Sequence, residues 1–259
     1  LSFTDVEAHW ISPRTIVWDR AFAEGKAIEL YSSASGGMSA SENGELIGGE
    51  KVASLSAGRA LSEAEKELVP HLENYTAYDL PDELSIETIK QLLTQELLII
   101  GRADIQEDGK TIEIGQGTRI QTPHVLDALY TQGDNDADEA QLGLSYSSSG
   151  VTAAVWAPTA QLVELRIYSD EYRLVDSKPM QRDDATGIWR FTGSLAELDK
   201  KYYRYRVTAY NAEAKRVLRR EVTDPYSVSL SANGMHSQFI NVDDPQTQPS
   251  GWADHQSPA

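Results

Sequence analysis

The sequence contains no cysteine and no long apolar run. The missing cysteine excludes disulfides, thiolate-bound metals and cysteine nucleophiles. A membrane-spanning helix needs about 20 consecutive apolar residues, and no segment approaches that length. Residues 1–10 lack the basic start and apolar stretch of a secretory signal peptide, so we expect the chain to begin within a mature protein.

Positive charge is also scarce. The 259 residues include 23 Lys and Arg against 40 Asp and Glu, a formal net charge of −17. Because nucleic acids and anionic membranes are polyanions, this charge disfavours both as partners. The composition is otherwise ordinary for a globular protein, with 40% apolar and 24% charged residues. A neutral ligand such as a glycan is compatible with this charge.

The negative charge is concentrated in the first part of the chain. Residues 1–143 hold 26 acidic and 10 basic residues, whereas the remaining residues hold 14 and 13. The change coincides with the acidic segment 131–140, which is self-repelling and typical of a linker or exposed loop. We therefore predict a first domain over residues 1–138, a second over 139–242 and a linker over 243–259.

Hydrophobic alternation predicts a mainly β protein. In the second region, short alternating segments recur between turn signals, which is typical of antiparallel sandwiches. The first region begins with similar strands but continues into helical periodicity at 61–72, where Ser62 and Glu65 predict a capping box. We predict two tandem antiparallel β-sandwich domains of immunoglobulin-like type, the first with a helical insertion.

Three shorter elements complete this prediction. The Ser- and Gly-rich segment 32–49 is predicted to be loop. Asp108-Gly109 predicts a hairpin turn. The last predicted strand covers residues 239–242.

The sequence contains no recognisable catalytic motif. The five histidines stand apart, without metal-ligand spacing, and no nucleophile elbow or phosphate loop is present. Asp134, Asp136 and Asp138 match the first three ligand positions of a calcium loop. The glycine position of that loop is Glu139, however, and its twelfth position is Ser145. A calcium site and a flexible acidic linker are therefore the two interpretations of this segment.

The aromatic residues offer flat rings that can stack on sugars. Trp18, Trp156 and Trp189 alternate with apolar residues in predicted strands, which favours core packing. Trp10 and Trp252 lie near the ends of the chain, and we expect them to be exposed. Trp252 follows two prolines in a polar tail and is interpreted as an anchor onto a neighbouring domain.

Several motifs of the second region occur in a characteristic order. One predicted strand ends in Val155-Trp156-Ala157-Pro158. The motif Gly187-Ile188-Trp189 comes next, and the chain leaves the last long strand through Asp224-Pro225-Tyr226-Ser227. In these motifs the region resembles the family-48 carbohydrate-binding module, which precedes the catalytic barrel of starch- and glycogen-debranching enzymes. The resemblance implies a sandwich that packs on the barrel, with Asp224, Pro225, Tyr226 and Trp252 as docking residues.

The first region is similar to the module that precedes this one in bacterial pullulanases. The similarity lies in His9-Trp10, Ile16-Val17-Trp18 and Ile28-Glu29-Leu30-Tyr31-Ser32. It implies a non-catalytic region of an enzyme that cleaves α-1,6 branches in α-glucans, located outside the cell or on the bacterial surface. The family's catalytic carboxylates would then lie beyond Ala259, with residues 243–259 leading toward that catalytic barrel.

Two alternatives to docking remain open. Glycogen-binding members of the family carry stacking tryptophans where this sequence has residues 169–172 and 215–218 without tryptophan. This departure favours docking over glucan binding. If the chain binds α-glucan by itself, the candidate residues are Trp10, Tyr172 and Trp189. A third hypothesis is a recognition surface for secretion machinery.

Overall fold

The computed structural model describes residues 3–19, 27–41, 45–102, 114–133 and 136–251. The predicted turn at Asp108-Gly109 lies outside the described residues. Within them, nineteen strands and four α-helices form, and the sheets are almost entirely antiparallel, so the mainly β fold class is confirmed. No helix in this described part has the length and apolarity to span a membrane.

The first region is built on one eight-stranded sheet with the order β6-β3-β9-β10-β1-β2-β8-β7. All neighbouring pairs are antiparallel except β1 and β10, which run parallel. A separate small hairpin, β4 and β5, lies within 32–49, so the prediction of loop throughout that segment is wrong. The strands are β1 (Val6–Ser12), β2 (Thr15–Asp19), β3 (Ala27–Ser33), β4 (Ser39–Ala40), β5 (Leu46–Ile47), β6 (Glu50–Ser54), β7 (Arg59–Ala60), β8 (Tyr75–Asp79), β9 (Glu96–Arg102) and β10 (Ile114–Gln121).

Three helices accompany this sheet: α1 (Glu63–Leu68), α2 (Ile86–Leu92) and α3 (Pro123–Tyr130). The predicted capping box begins α1, because Ser62 Oγ accepts a hydrogen bond from Glu65 N at 3.3 Å and the Glu65 carboxylate accepts one from Ser62 N at 2.7 Å. A 3₁₀ turn at Pro70–Leu72 follows α1, as expected where proline removes a helical hydrogen bond.

Apolar side chains fill both faces of the eight-stranded sheet. One cluster contains Trp10, Trp18 and Ile99 together with Ile89 of α2 and Val125 of α3. On β1, β2 and β9 the alternate residues point away from this cluster and join two smaller ones. Removing each large apolar side chain from water contributes about 1.5–3 kcal/mol to the folding free energy. Apolar packing on both faces of the sheet therefore stabilises this region.

The second region is a sandwich of two antiparallel sheets, with the orders β11-β12-β16-β15 and β14-β13-β17-β18, and β19 paired to β17. Trp189 of the first sheet and Val163, Leu165 and Tyr205 of the second meet in one core. The elements are β11 (Gly143–Ser147), β12 (Gly150–Trp156), β13 (Ala160–Tyr168), β14 (Leu174–Pro179), β15 (Gln181–Asp183), β16 (Ile188–Gly193), α4 (Leu195–Leu198), β17 (Tyr202–Asn211), β18 (Arg216–Val222) and β19 (Ser237–Gln238).

The predicted strand at 239–242 is wrong. The chain pairs two residues earlier, at β19, and Phe239 is fully buried in the sandwich core against the ring of Tyr203 at a centroid distance of 4.4 Å. The buried ring of Phe239 thus gave this segment the apolar pattern of a strand, although its backbone does not form one.

Hydrogen bonds join the two regions along a seam. Tyr210 of β17 donates to Glu96 of β9 at 2.9 Å, and Arg119 of β10 donates to the carbonyl of Ala212 at 2.5 Å. Glu96 is 2% exposed, and its second oxygen accepts the backbone N–H of Met38 at 2.8 Å. A buried carboxylate with two donors is costly to disturb, so the seam fixes the β17–β18 hairpin against the first region.

Candidate functional site

The exit of the chain from β18 is fixed by a buried carboxylate. Asp224 is 3% exposed, and its Oδ2 accepts hydrogen bonds from Tyr203 at 2.7 Å and Tyr205 at 3.3 Å. Its Oδ1 accepts the backbone N–H of Tyr226 at 2.9 Å. Burial raises the pKa of Asp224, and the hydrogen bonds from Tyr203, from the Tyr226 backbone and from Tyr205 oppose that rise.

This arrangement separates the predicted docking residues. Asp224 has almost no surface to offer and acts as an internal anchor, whereas Pro225 and Tyr226 are exposed. Trp252 lies outside the described residues. A docking role for the exit motif therefore falls to the residues that Asp224 holds in place.

We name residues 222–242 the docking segment. Exposed apolar side chains occur along it before and after Asp224. Hydrogen bonds fold this segment onto itself, from Gln238 N to Ser229 O at 2.9 Å and from Ser231 N to His236 O at 2.8 Å. Exposed apolar residues mark a protein interaction site where they form a contiguous patch. The exposed apolar residues of the segment are Val222, Tyr226, Val228, Leu230, Met235 and Val242.

A second feature, the aromatic cluster, consists of Tyr168, Tyr172, Tyr202 and His236. Tyr172 is 40% exposed; its ring stacks on His236 at 5.1 Å and 22° and meets Tyr202 at 4.8 Å. Tyr172 has a φ of 59°, in the left-handed region that a bulky residue rarely adopts. Its turn is closed by the backbone bond from Ser169 N to Arg173 O at 2.8 Å. The ring is therefore held at the surface by a strained but tied turn.

Polar groups border the aromatic cluster. Glu221 accepts hydrogen bonds from Tyr168 at 2.7 Å and from Arg166 Nε at 3.1 Å. Burial, and next the charge of Arg204, lower the pKa of His236, and the carboxylate of Glu221 opposes that shift. An aromatic face beside carboxylate and guanidinium groups can contact the apolar face of a sugar while the charged groups bind its hydroxyls.

The two tryptophan candidates lie in the cores. Trp10 is fully buried because it lies in the core cluster with Ile89 of α2 and Val125 of α3, so the expectation that it is exposed is wrong. Trp189 is 5% exposed, and its Nε1 donates to Ala157 O at 3.0 Å. Neither ring can stack on a sugar without opening a core, and Tyr172 is the one of the three candidates with an exposed ring.

The acidic segment is described only in part. Asp134 lies outside the described residues, and Asp136 caps the 3₁₀ turn Ala137–Glu139 by accepting the backbone N–H of Asp138 at 2.8 Å. Over the described ranges, no group of three or more His, Asp or Glu side chains is arranged to hold a metal ion. Calcium binding by Asp134, Asp136 and Asp138 stays a prediction.

Two family models match the chain in succession, the pullulanase N2 domain over residues 5–128 and carbohydrate-binding module 48, the isoamylase N-terminal domain, over residues 141–227. The chain belongs to these two families. Their order is that of the N-terminal, non-catalytic part of pullulanases. The chain is 35% identical over 246 residues to a pullulanase of Klebsiella pneumoniae and 30% identical over 249 residues to the chloroplastic pullulanase 1 of Arabidopsis thaliana.

Solved structures agree with this assignment. A maltotriose complex of a mutant pullulanase from Klebsiella pneumoniae matches with a TM-score of 0.84 and 35% identity, over 98% of this chain and 26% of that one. A pullulanase from Klebsiella oxytoca matches with a TM-score of 0.81 and 33% identity, over 97% of this chain and 22% of that one. The matches to the two curated pullulanases cover 95% of this chain but only 21% and 24% of the relatives' own lengths.

Within the module-48 domain, sequence reasoning found Tyr172 but missed its partners. Tyr168 and Tyr202 face each other in the register of β13 and β17, and His236 reaches them from the loop before β19. The pairing of the two strands could have suggested the tyrosine pair. No spacing in the sequence indicates that His236 joins it.

Proposed function

We propose that this chain is a non-catalytic part of a pullulanase-type enzyme that cleaves α-1,6 branches in α-glucans, and that its docking segment packs on the catalytic domain and shapes access of the glucan. The observation that carries the proposal is the row of exposed apolar residues in 222–242, fixed by the buried Asp224. Because most of each pullulanase relative lies outside the matched region, a large neighbouring domain is the occupant this surface fits.

The energetics of burial favour the docking segment over the charged sheet as the contact surface. Val228 and Leu230 are 68% and 50% exposed, so covering them with protein would bury apolar area at a gain of about 25 cal/mol for each Å². Charged side chains on the central strands β13 and β17 of the five-stranded sheet, by contrast, already pair with one another, as Arg206 does with Glu164 at 2.6 Å. The segment after β18 is thus the better docking surface of the domain.

Titration of the chain with the separately produced catalytic domain of its parent enzyme tests the proposal. The Val228→Asp/Leu230→Asp double variant should bind at least tenfold more weakly, because each new carboxylate would have to be desolvated at the interface. The matched control is Ile47→Asp/Leu68→Asp, two residues of the N2 domain that are 54% and 51% exposed. Equal affinity of both double variants for the catalytic domain would reject docking through this segment.

A second candidate function, α-glucan binding by the chain itself, is favoured by the exposed and stacked ring of Tyr172. Calorimetry with maltoheptaose should give a dissociation constant at or below about 1 mM if the aromatic cluster is a sugar platform. Tyr172→Ala should then weaken binding at least tenfold, and Trp10→Phe should leave it unchanged. Absence of heat with the unaltered chain would leave docking as the function.

The remaining expectations belong to the same proposal. We retain the division into 1–138, 139–242 and a connecting segment 243–259, which is supported by the separation of the sheets along the chain. We also retain a location outside the cell or on the bacterial surface, which fractionation of the source cells would test. Recognition by secretion machinery stays a prediction.

A further inference from the structure

A cleft of about 750 Å³ opens along the seam between the N2 domain and the module-48 domain, away from both features described above. We name it the seam cleft. One wall is the exposed side of α2, another is the end of α3, and the module-48 domain contributes the start of β13 and the turn between β15 and β16. A volume of this size lies within the range of small-molecule sites, which occur preferentially between domains. The residues that line the cleft include Ile86, Gln91, Leu129, Gln132, Asp184 and Ala185.

The two cations in the cleft already have partners. Lys90 Nζ donates to the carbonyls of Asp184 at 2.7 Å and Ala185 at 3.2 Å, and it lies 4.6 Å from the ring centroid of Tyr130. Arg182 donates to the carbonyl of Pro158, to the hydroxyl of Tyr130 and to the carboxylate of Asp184, all within 3.0 Å. An anionic ligand would therefore have to compete with bonds that Lys90 and Arg182 already make to oxygens of the chain.

The charges of the lining also balance. Glu87 and Asp184 carry one negative charge each, and Lys90 and Arg182 carry one positive charge each. A charged ligand would therefore gain no net attraction, whereas a ligand with many neutral hydroxyls can both donate to carboxylates and accept from amides.

We propose that the seam cleft binds a short neutral oligosaccharide. The exposed amides of Gln91 and Gln132 bind its hydroxyls from the N2 side, and the carboxylate of Asp184 accepts a hydroxyl from the module-48 side. Ile86, Leu129 and Ala185 give the C–H faces of the sugar an apolar contact. A ligand held by both domains would strengthen the seam, because it binds only when the two walls stand in this arrangement. This site does not depend on the aromatic cluster or on docking.

Calorimetric titration with maltotriose in the Tyr172→Ala background tests the proposal, because that variant removes the exposed ring of the other candidate sugar site. We expect saturable binding there, weakened at least tenfold in the Gln91→Ala/Gln132→Ala double variant. Both glutamines are exposed, so the double variant should fold. The matched control is Gln141→Ala, an exposed glutamine outside the cleft, which should bind like its parent.

A charged probe of the same length tests the ligand class. Trigalacturonate should bind at least tenfold more weakly than maltotriose, since its three carboxylates would compete for cations that the chain's own oxygens already engage and would meet the carboxylates of Glu87 and Asp184. The proposal is overturned if maltotriose shows no saturable binding, if the double glutamine variant binds as tightly as the control, or if the charged probe binds as well as the neutral one. Failure of docking in the titration with the catalytic domain would leave these results unaffected.

Discussion

The two domains use their side chains differently. The N2 domain buries apolar residues on both faces of one sheet, including Trp10 and Trp18. The module-48 domain has one core between two sheets, and it carries most of the exposed large apolar residues of the described chain. Their charges differ as well, since nearly all of the net −17 falls before residue 144. The N2 domain is thus the more acidic of the two, and the module-48 domain exposes more apolar surface.

The contacts at the seam matter for both proposed functions. A docking segment or a sugar platform is effective only when its backbone is fixed before the partner arrives, because ordering it on binding costs affinity. Asp224 fixes the segment from within the module-48 domain, and Glu96 and Arg119 fix the β17–β18 hairpin from the N2 side.

Trp10→Ala should have the largest effect, a loss of about 4 kcal/mol in the free energy of unfolding, because a fully buried indole leaves a cavity filled by no neighbour. Urea denaturation followed by circular dichroism measures this loss. Trp156→Ala is the matched variant in the module-48 domain; it removes a half-buried ring and should cost about 2 kcal/mol. A smaller loss for Trp10→Ala than for Trp156→Ala would contradict the comparison.

Asp224→Ala should lower the free energy of unfolding by about 3 kcal/mol, since it leaves the buried hydroxyls of Tyr203 and Tyr205 without their shared acceptor. Asp224→Asn retains an acceptor oxygen and should cost less than half as much. The variants are compared by urea denaturation, with Tyr226→Phe as an exposed control. Equal stability of Asp224→Ala and the unaltered chain would show that the exit from β18 is not fixed by this carboxylate.

Tyr210→Phe should cost about 2 kcal/mol, because it removes one of the two donors that satisfy the buried carboxylate of Glu96. If the seam couples the domains, this variant should also separate their unfolding into two transitions in differential scanning calorimetry. Tyr172→Phe, at an exposed ring of the module-48 domain, serves as the control. A single unshifted transition for Tyr210→Phe would mean that the seam contributes nothing to their coupling.

Elements with a local signal could be predicted from the sequence. The capping box at Ser62 and Glu65 depends only on neighbouring residues, and it forms as expected. The strand at 239–242 and the exposure of Trp10 were wrong because strand pairing and burial depend on residues far away in the sequence. The helices that share a core cluster with Trp10 could not be read from the residues of β1 itself.

The candidate sites depended still more on contacts between distant residues. Tyr172 stood out by its position in the sequence, but His236 joins it through a loop that no periodicity describes. The seam cleft brings together residues of both domains through contacts such as that of Lys90 Nζ with the Asp184 carbonyl, and such contacts leave no trace in residue spacing. The histidines likewise appeared scattered, yet His9 and His71 lie with their ring centroids 6.2 Å apart.

These histidines carry the smallest predicted effect, a dependence of stability on pH. Burial lowers the pKa of His9 below its ordinary 6.5, and the nearby His71 and His124 lower it further. Below about pH 6.5 the unfolded chain therefore takes up a proton that the folded chain resists, so stability present at neutral pH falls as the pH decreases. His9→Asn should flatten the decrease in unfolding free energy between about pH 7.5 and 5.5, measured by urea denaturation.

His236 provides the comparison in the other domain. Its pKa is lowered by burial and by Arg204, but Glu221 opposes the shift, whereas burial, His71 and His124 all lower the pKa of His9. His236→Asn should consequently flatten the pH dependence less than His9→Asn does. If His236→Asn flattened the pH dependence more, the main pH-sensitive histidine would lie in the module-48 domain and not in the N2 domain.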